Sequence, residues 1–290
     1  MSLLTTAAQG TAPRRARRTS IVPTGFLLLG ALYTLVPIVW LLIASTKTNT
    51  QLGSMAPFRP AGSFVSNFDL LTQYDGGVFW NWLLNTALYA GGGAVLSAAV
   101  SAMAGYGFAK YRFRGKGFLF TMILVGMLVP AVVLAIPQYL LVAKIGLANT
   151  YWSVLIPSII SPYGIYLARI YAGSSVPDEV LEAARMDGSP EWRTFLRVAL
   201  PMMTPGLVTV FLFQFVAIWN NFLLPWLMLS SENKYPLTVG LFTLLDAGTS
   251  QPSLYSLVLI GALLSILPLV LLFFLLQRFW RVDLTAGSVK

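Results

Sequence analysis

Six apolar runs, at residues 26–43, 84–108, 117–137, 151–170, 205–229 and 255–276, decide what this chain can become. Each is close to the roughly 20 residues a helix needs to cross a hydrocarbon core of about 30 Å. Within lipid the backbone must satisfy its own N–H and C=O groups, which leaves helices as the solution for runs of this length. The expected fold is an all-α membrane protein with six transmembrane helices over residues 21–282. A disordered tail (1–20) precedes it and a short C-terminal tail (283–290) follows. Composition agrees, with 57% hydrophobic and 10% charged residues. A cleaved signal peptide would have a shorter apolar region and a small-residue cleavage site, so the first run reads as an uncleaved anchor.

Six crossings put both termini on one side, and the basic residues choose it. Fifteen of the 19 Lys and Arg fall on the terminal side, including Arg14, Arg15, Arg17, Arg18, Arg114, Lys116, Arg193 and Arg281. The other side receives Lys47, Arg59, Lys144 and Lys234. Cytoplasmic loops are the ones enriched in Lys and Arg, so both termini are expected in the cytoplasm of a multi-pass bacterial inner-membrane protein. The net charge of +9 is then a topology signal, and a nucleic-acid partner is not needed to explain it. With no cysteine and no histidine, the usual zinc ligands, Cys nucleophiles and His-based triads are excluded, and no metal site is expected.

The second run carries small residues in two rows at i+4 spacing: Gly93, Ser97, Ser101 and Gly105, and Ala90, Ala94, Ala98 and Ala102. In lipid, helices associate through such close backbone approach, so this span is expected to pack on protein. No span centre holds an acidic or basic residue, which leaves a proton relay or ion-coupled carrier without machinery. A neutral polar solute fits better. Its path is assigned to Gln214, Trp219, Asn220, Asn221 and Asn85, with Gln214 and Asn221 seven residues apart on nearly one helical face. The competing reading for these amides is interhelical packing. Residues 47–79, rich in Gly, Pro and Asn, read as a polar connection.

Residues 176–201 form a polar island holding five of the ten acidic residues (Asp178, Glu179, Glu182, Asp187 and Glu191). Two short helices joined by a tight corner are expected. Pro177 suits a first helical turn, and Val180, Leu181, Ala183 and Ala184 supply an apolar stripe. Gly188 can take the left-handed conformation that ends a helix, Ser189 can cap the second helix, and that helix should stop before Pro201.

Glu182, Ala183 and Ala184, with Gly188 four residues on and then Val198, Leu200 and Pro201, resemble the EAA loop of binding-protein-dependent ABC importer permeases. Val198 stands where the family usually has Ile. Asn85 and Thr86, the stretch 106–109 with the basic 113–116, residues 219–222 and 235–240 are similar to the carbohydrate branch. The end at 284–290 resembles the smaller, maltose-type permease subunit, although Asp283 replaces the usual Gly and the final Gly is missing.

The resemblance implies a non-catalytic permease that works with a homologous second permease, two ATPase subunits and an extracellular solute-binding lipoprotein. The chain has no phosphate-binding loop of its own, so any cofactor, ATP with magnesium, would belong to the ATPases. Glu182, Ala183, Ala184, Gly188 and Pro201 would make the coupling contact. The outer loop at 230–253, with Tyr235, Leu237 and Thr238, would reach toward the binding protein. The expected activity is ATP-driven import of a sugar or related neutral polyol by alternating access. The alternative is a permease for a glycerophosphodiester, polyamine or oligopeptide. A membrane enzyme lacks a catalytic pair in the spans, and a structural or receptor protein would not need an ATPase.

Overall fold

The computed structural model describes residues 21–248 and 254–286, and among these every regular element is helical. In chain order they are α1 (Ile21–Ala44), α2 (Asn49–Ser54), α3 (Phe64–Gln73), α4 (Val78–Ala87), α5 (Gly93–Lys110), α6 (Lys116–Leu128), α7 (Ala131–Lys144), α8 (Tyr151–Ile159) and α9 (Pro162–Ser175). There follow α10 (Asp178–Met186), α11 (Glu191–Thr194), α12 (Leu200–Trp219), α13 (Leu223–Met228), α14 (Leu237–Ala247) and α15 (Tyr255–Ala286). The proposed tail at 1–20 lies outside the described residues. At the other end α15 runs to Ala286, past the expected boundary at 282, and only 287–290 lie outside.

Among the described residues, four helices are long and apolar enough to cross a membrane, or up to six spans if each of two bent pairs is counted as one. The pairs are α6 with α7, bent by 106°, and α8 with α9, bent by 41°. Hydrogen bonds at their ends show that both pairs run from one end of the bundle to the other. At one end, Lys116 at the start of α6 donates to Tyr111 O, and Lys110 pairs with Asp178 just after α9. At the opposite end, Asn149, following α7, accepts from the N–H groups of Ser230 and Ser231, while Tyr151 in α8 donates to Asn85 Oδ1. The bends fall at Pro130 and Pro162, each lacking the N–H that would continue the preceding ladder.

The stretch from Lys47 is not the open connection its composition suggests. It folds into a cap over the end of the bundle. Thr48 and Gln51 form a reciprocal capping box on α2. Asn67 of α3 is buried and donates to the carbonyls of Ser45 and Lys47, both at 2.9 Å. Lys47 is itself buried, and its Nζ donates to Ala56 O at 2.8 Å and Pro57 O at 3.0 Å. Three consecutive left-handed residues, Asp75, Gly76 and Gly77, then turn the chain into α4.

From Val78 to Lys110 the chain is one helix, with a single π-turn over Leu88–Gly92 between α4 and α5. The small-residue rows behave as packing surfaces. Gly93, Ser97, Ser101 and Gly105 are buried with Ala90, Ala94 and Ala102, and a Cβ on Gly105 would lie 2.6 Å from Ala168 Cβ. The apolar interior forms three tiers. Leu71, Trp82, Leu237 and Ile260 lie under the cap, Tyr89, Val154 and Trp219 lie deeper, and Tyr106, Ala168, Leu181 and Met203 sit beneath the polar island. By contrast α1 is exposed along most of its length, with none of its most apolar 18-residue window buried and only Ala44 at its end inside the fold.

Candidate functional site

Two constellations from the sequence can now be placed: the polar island at one end of the bundle and the amide-rich region within it. In the island, Gly188 takes φ 75° and ends α10. Ser189 N–H donates to Ala184 O and Gly188 N–H to Arg185 O, the paired bonds that satisfy carbonyls at a helix end through a left-handed glycine. No Cβ at Gly188 would meet any atom within 4 Å, so backbone conformation alone sets its identity. Two expected details differ. Ser189 does not cap α11; its hydroxyl accepts from Thr194 Oγ1 at 3.1 Å, and Pro190 occupies the cap position. Pro177 likewise sits just before α10 rather than in its first turn.

The second helix does not stop before Pro201. The chain is helical without a break from Glu191 to Trp219. A π-turn over Phe195–Ala199 makes this possible, with Leu200 N–H donating to Phe195 O five residues back. The shifted ladder places Pro201 in the opening turn of α12, where its missing N–H and ring are tolerated. The island is therefore helically continuous with α12, through a π-turn.

Its inner side is anchored and its outer side is bare. Leu181 and Val176 are buried against Tyr106, while Glu182, Ala183 and Gly188 are exposed and Ala184 is half-buried. Met186 (88% exposed) and Trp192 (63%) extend the bare face with apolar area. Sequence reading passed over both; their signal was apolar side chains off the Leu181 stripe in an otherwise polar stretch. Asp178, the first residue of α10, pairs with Lys110 at 2.7 Å, and this lysine holds the Asp178 carboxyl below the usual carboxylate range. Glu191, the first residue of α11, accepts from Tyr111 Oη at 2.9 Å and from Arg185 Nε at 2.7 Å.

The second constellation is a cleft of about 630 Å³ where three helix breaks converge. The α6–α7 break contributes Val129, the α8–α9 break Ser158 and Ser161, and the end of α12 contributes Gln214, Asn220 and Asn221. Gln138 of α7 joins them, and among the described residues no charged side chain lines the cleft. Gln214 and Asn221 do share it, but not on one helical face. The helix ends at Trp219, Asn220 and Asn221 leave it, and α13 restarts at Leu223. Gln214 Nε2 donates to Ser161 Oγ at 2.5 Å, and Asn220 Nδ2 to Val216 O at 2.8 Å.

Other expected path residues fall elsewhere. Trp219 is 4% exposed, stacked on Phe215, and belongs to the core. Asn85 is buried away from the cleft, where its amide donates to the carbonyls of Asn233 and Tyr235. The three outer-loop residues are also ties rather than a free surface. Leu237 is buried and its N–H donates to Thr86 Oγ1, Thr238 Oγ1 donates to Asn221 O, and Tyr235 is half-buried. Exposed positions there include Glu232, Asn233, Phe242 and Leu245, together with Phe58 and Arg59 of the cap.

Comparison with known proteins matches this architecture. The family described as "Binding-protein-dependent transport system inner membrane component" matches residues 94–281. The arabinooligosaccharides transport system permease protein AraQ of Halalkalibacterium halodurans is 34% identical, over 94% of this chain and 99% of its own length. The lactose transport system permease protein LacG of Rhizobium radiobacter is 33% identical over 95% and 98%. A chain in the crystal structure of a bacterial ABC transporter that imports the acidic polysaccharide alginate superposes with a TM-score of 0.77 at 25% identity, covering 93% of this chain and 99% of that one. A helical bundle with four to six candidate membrane spans, an acidic loop at one end and relatives matched over nearly their whole length is an integral membrane permease, and the chain belongs to the binding-protein-dependent transport system inner membrane component family.

Proposed function

We propose that this chain is the permease subunit through which an ATP-driven importer passes an uncharged oligosaccharide. The carrying observation is the cleft, whose polar groups are amides and hydroxyls and whose lining includes no charge. Its volume lies within the usual range of about 300–1,000 Å³ for small-molecule sites. Relatives named for arabinooligosaccharide, lactose and maltodextrin transport support the same class. An acidic polysaccharide would ask for basic residues, and none lines the cleft.

In this reading the bare face at Glu182, Ala183, Met186 and Trp192 sits on an ATPase subunit in the cytoplasm, with a second permease completing the pathway. A binding protein delivers solute at the opposite end, resting on exposed positions such as Arg59, Glu232 and Asn233. ATP-driven movement of the loop would rotate the helices that meet at the three breaks, and Asn220 and Asn221 would exchange water for sugar hydroxyls. Weak contacts suit transport, because tight binding would slow release.

Uptake by the assembled transporter in proteoliposomes tests this. Asn221→Ala should reduce the specificity constant for sugar about 2- to 10-fold, the equivalent of one lost hydrogen bond, with at most a small loss of thermal stability from the long 3.4 Å bond that Asn221 Oδ1 accepts from Leu224 N–H. Gln214→Ala should also loosen the Ser161 contact and lower stability by about 0.6 kcal/mol. Unchanged uptake kinetics in Asn221→Ala would place the solute path elsewhere.

A further inference from the structure

The helix run 78–110 is gripped at both ends by the two loops that transport must coordinate. At the island end, consecutive residues Lys110 and Tyr111 hold the first residue of each short helix, Asp178 of α10 and Glu191 of α11. Arg185 ties those helices to each other through Glu191, so the loop cannot turn without dragging residues 110 and 111. The Lys110 side chain is only 8% exposed, which fixes the stem of this grip inside the fold. Tyr111 is steadied edge-on against buried Tyr106, with ring centroids 5.5 Å apart.

At the opposite end the same run holds the segment 233–237 through four hydrogen bonds. Asn85 Nδ2 donates to Asn233 O at 2.9 Å and Tyr235 O at 3.0 Å, Tyr89 Oη donates to Lys234 O at 3.0 Å, and Thr86 Oγ1 accepts from Leu237 N–H at 2.6 Å. Between the grips, residues 85 to 110 span about 37 Å at 1.5 Å per residue. That stretch contains no proline, and its one π-turn (Leu88–Gly92) lies at the outer grip, leaving Gly93–Lys110 regular. The alternative route, α12, carries a π-turn at its loop end and Pro201 and Pro205 in its first turns. The run also packs closely on α9, since a Cβ on Gly164 would fall 2.5 Å from Ser101 Oγ.

We propose that helix 78–110 is a strut that carries movement of the acidic loop to the outer loop, with Lys110 and Tyr111 as positioning residues at one end and Asn85, Thr86 and Tyr89 at the other. This rests on the reading of the chain as an ATP-driven permease. Its allosteric content is specific: two sites on one rigid element must bias each other reciprocally.

The test uses the assembled transporter with its ATPase subunits and binding protein in proteoliposomes. Two ratios are read, binding-protein-stimulated over basal hydrolysis and solute moved per ATP. Lys110→Asp should lower the stimulation ratio about tenfold, and the double exchange Lys110→Asp with Asp178→Lys should recover most of it. Tyr111→Phe and Tyr89→Phe keep the rings and remove only the hydroxyls. Each should lower both ratios several-fold, and the double variant should be no worse than the worse single one, because the grips act in series. Multiplying effects, or a charge exchange that assembles normally yet recovers nothing, would overturn the strut. A wild-type transporter that moves solute normally while these variants match it also removes the strut but leaves the function reading intact. A correctly assembled wild-type complex that moves no sugar removes the function reading first.

Discussion

Gly188 and Asp178 show how much of the acidic loop rests on single residues. The Gly188 backbone is left-handed and nothing crowds its missing side chain, so the cost of replacement is conformational. Gly188→Val should strain the corner by about 1–2 kcal/mol, whereas Gly188→Asn should be nearly neutral, because Asn tolerates this region. Co-purification of the ATPase subunit would check this, with loss in the valine variant and retention in the asparagine one. For Asp178, the Lys110 contact lowers the folded pKa below the unfolded value. The stabilisation it gives is therefore complete above the ordinary aspartate pKa of about 3.9 and is lost as pH falls through the depressed one. Protease resistance of the loop should be flat from about pH 5 to 8 and drop only in strong acid, and Asp178→Asn should shrink that acid step, leaving the part due to Glu191, which Arg185 and Tyr111 also hold down. Glycine at the corner was legible in the sequence, since its geometry is local. The partners of Asp178 and Glu191 were not, because Lys110 and Tyr111 lie 68 and 80 residues away.

Among the elements, the α5–α9 contact is the tightest that the small-residue rows foretold. A methyl at Gly105 would meet backbone atoms of Ala168 and Arg169 at 2.6–2.7 Å, so neither helix can yield by a side-chain rotation. Gly105→Ala should cost about 1–3 kcal/mol. Gly173→Ala, on the same α9 but with nothing within 4 Å, should gain about 0.5–1 kcal/mol from reduced chain entropy. Thermal unfolding in detergent compares the pair directly. The extents of the helices were less legible than their packing. Pro130 and Pro162 sit at breaks, but Pro201 gives no stop, because the π-turn before it re-registers the ladder. The same limit hid the cleft: a broken α12–α13 corner, not one helical face, brings Gln214 and Asn221 together. Asn85 and Leu237 look like path and contact residues in one dimension, and only the fold shows that they hold each other's loops.

Over the whole molecule, an all-helical membrane fold was legible because lipid restricts the choice to apolar helices, while the cap was hidden by its loop-like composition. Orientation has a direct check in a cysteine-free chain. Cysteines at Arg114 and Ala183 should react with an impermeant thiol reagent only after the inner face is opened, and one at Ser54 in intact cells; the reverse pattern would invert the bundle. The cap also sets a schedule. Asn49 Nδ2 and Oδ1 bond to Ser256, 207 residues further along, and Asn85 closes on segments about 150 residues downstream. At roughly 5–20 residues per second, a ribosome needs on the order of 10–40 s to supply Ser256 after Asn49 has emerged. Throughout that interval α1 and the unfinished cap wait in the bilayer with the Lys47 segment unlatched from its last partner. Quality-control proteases at the membrane would meet the nascent chain in that window, and C-terminal truncations ending before Ser256 should be short-lived while the full chain persists.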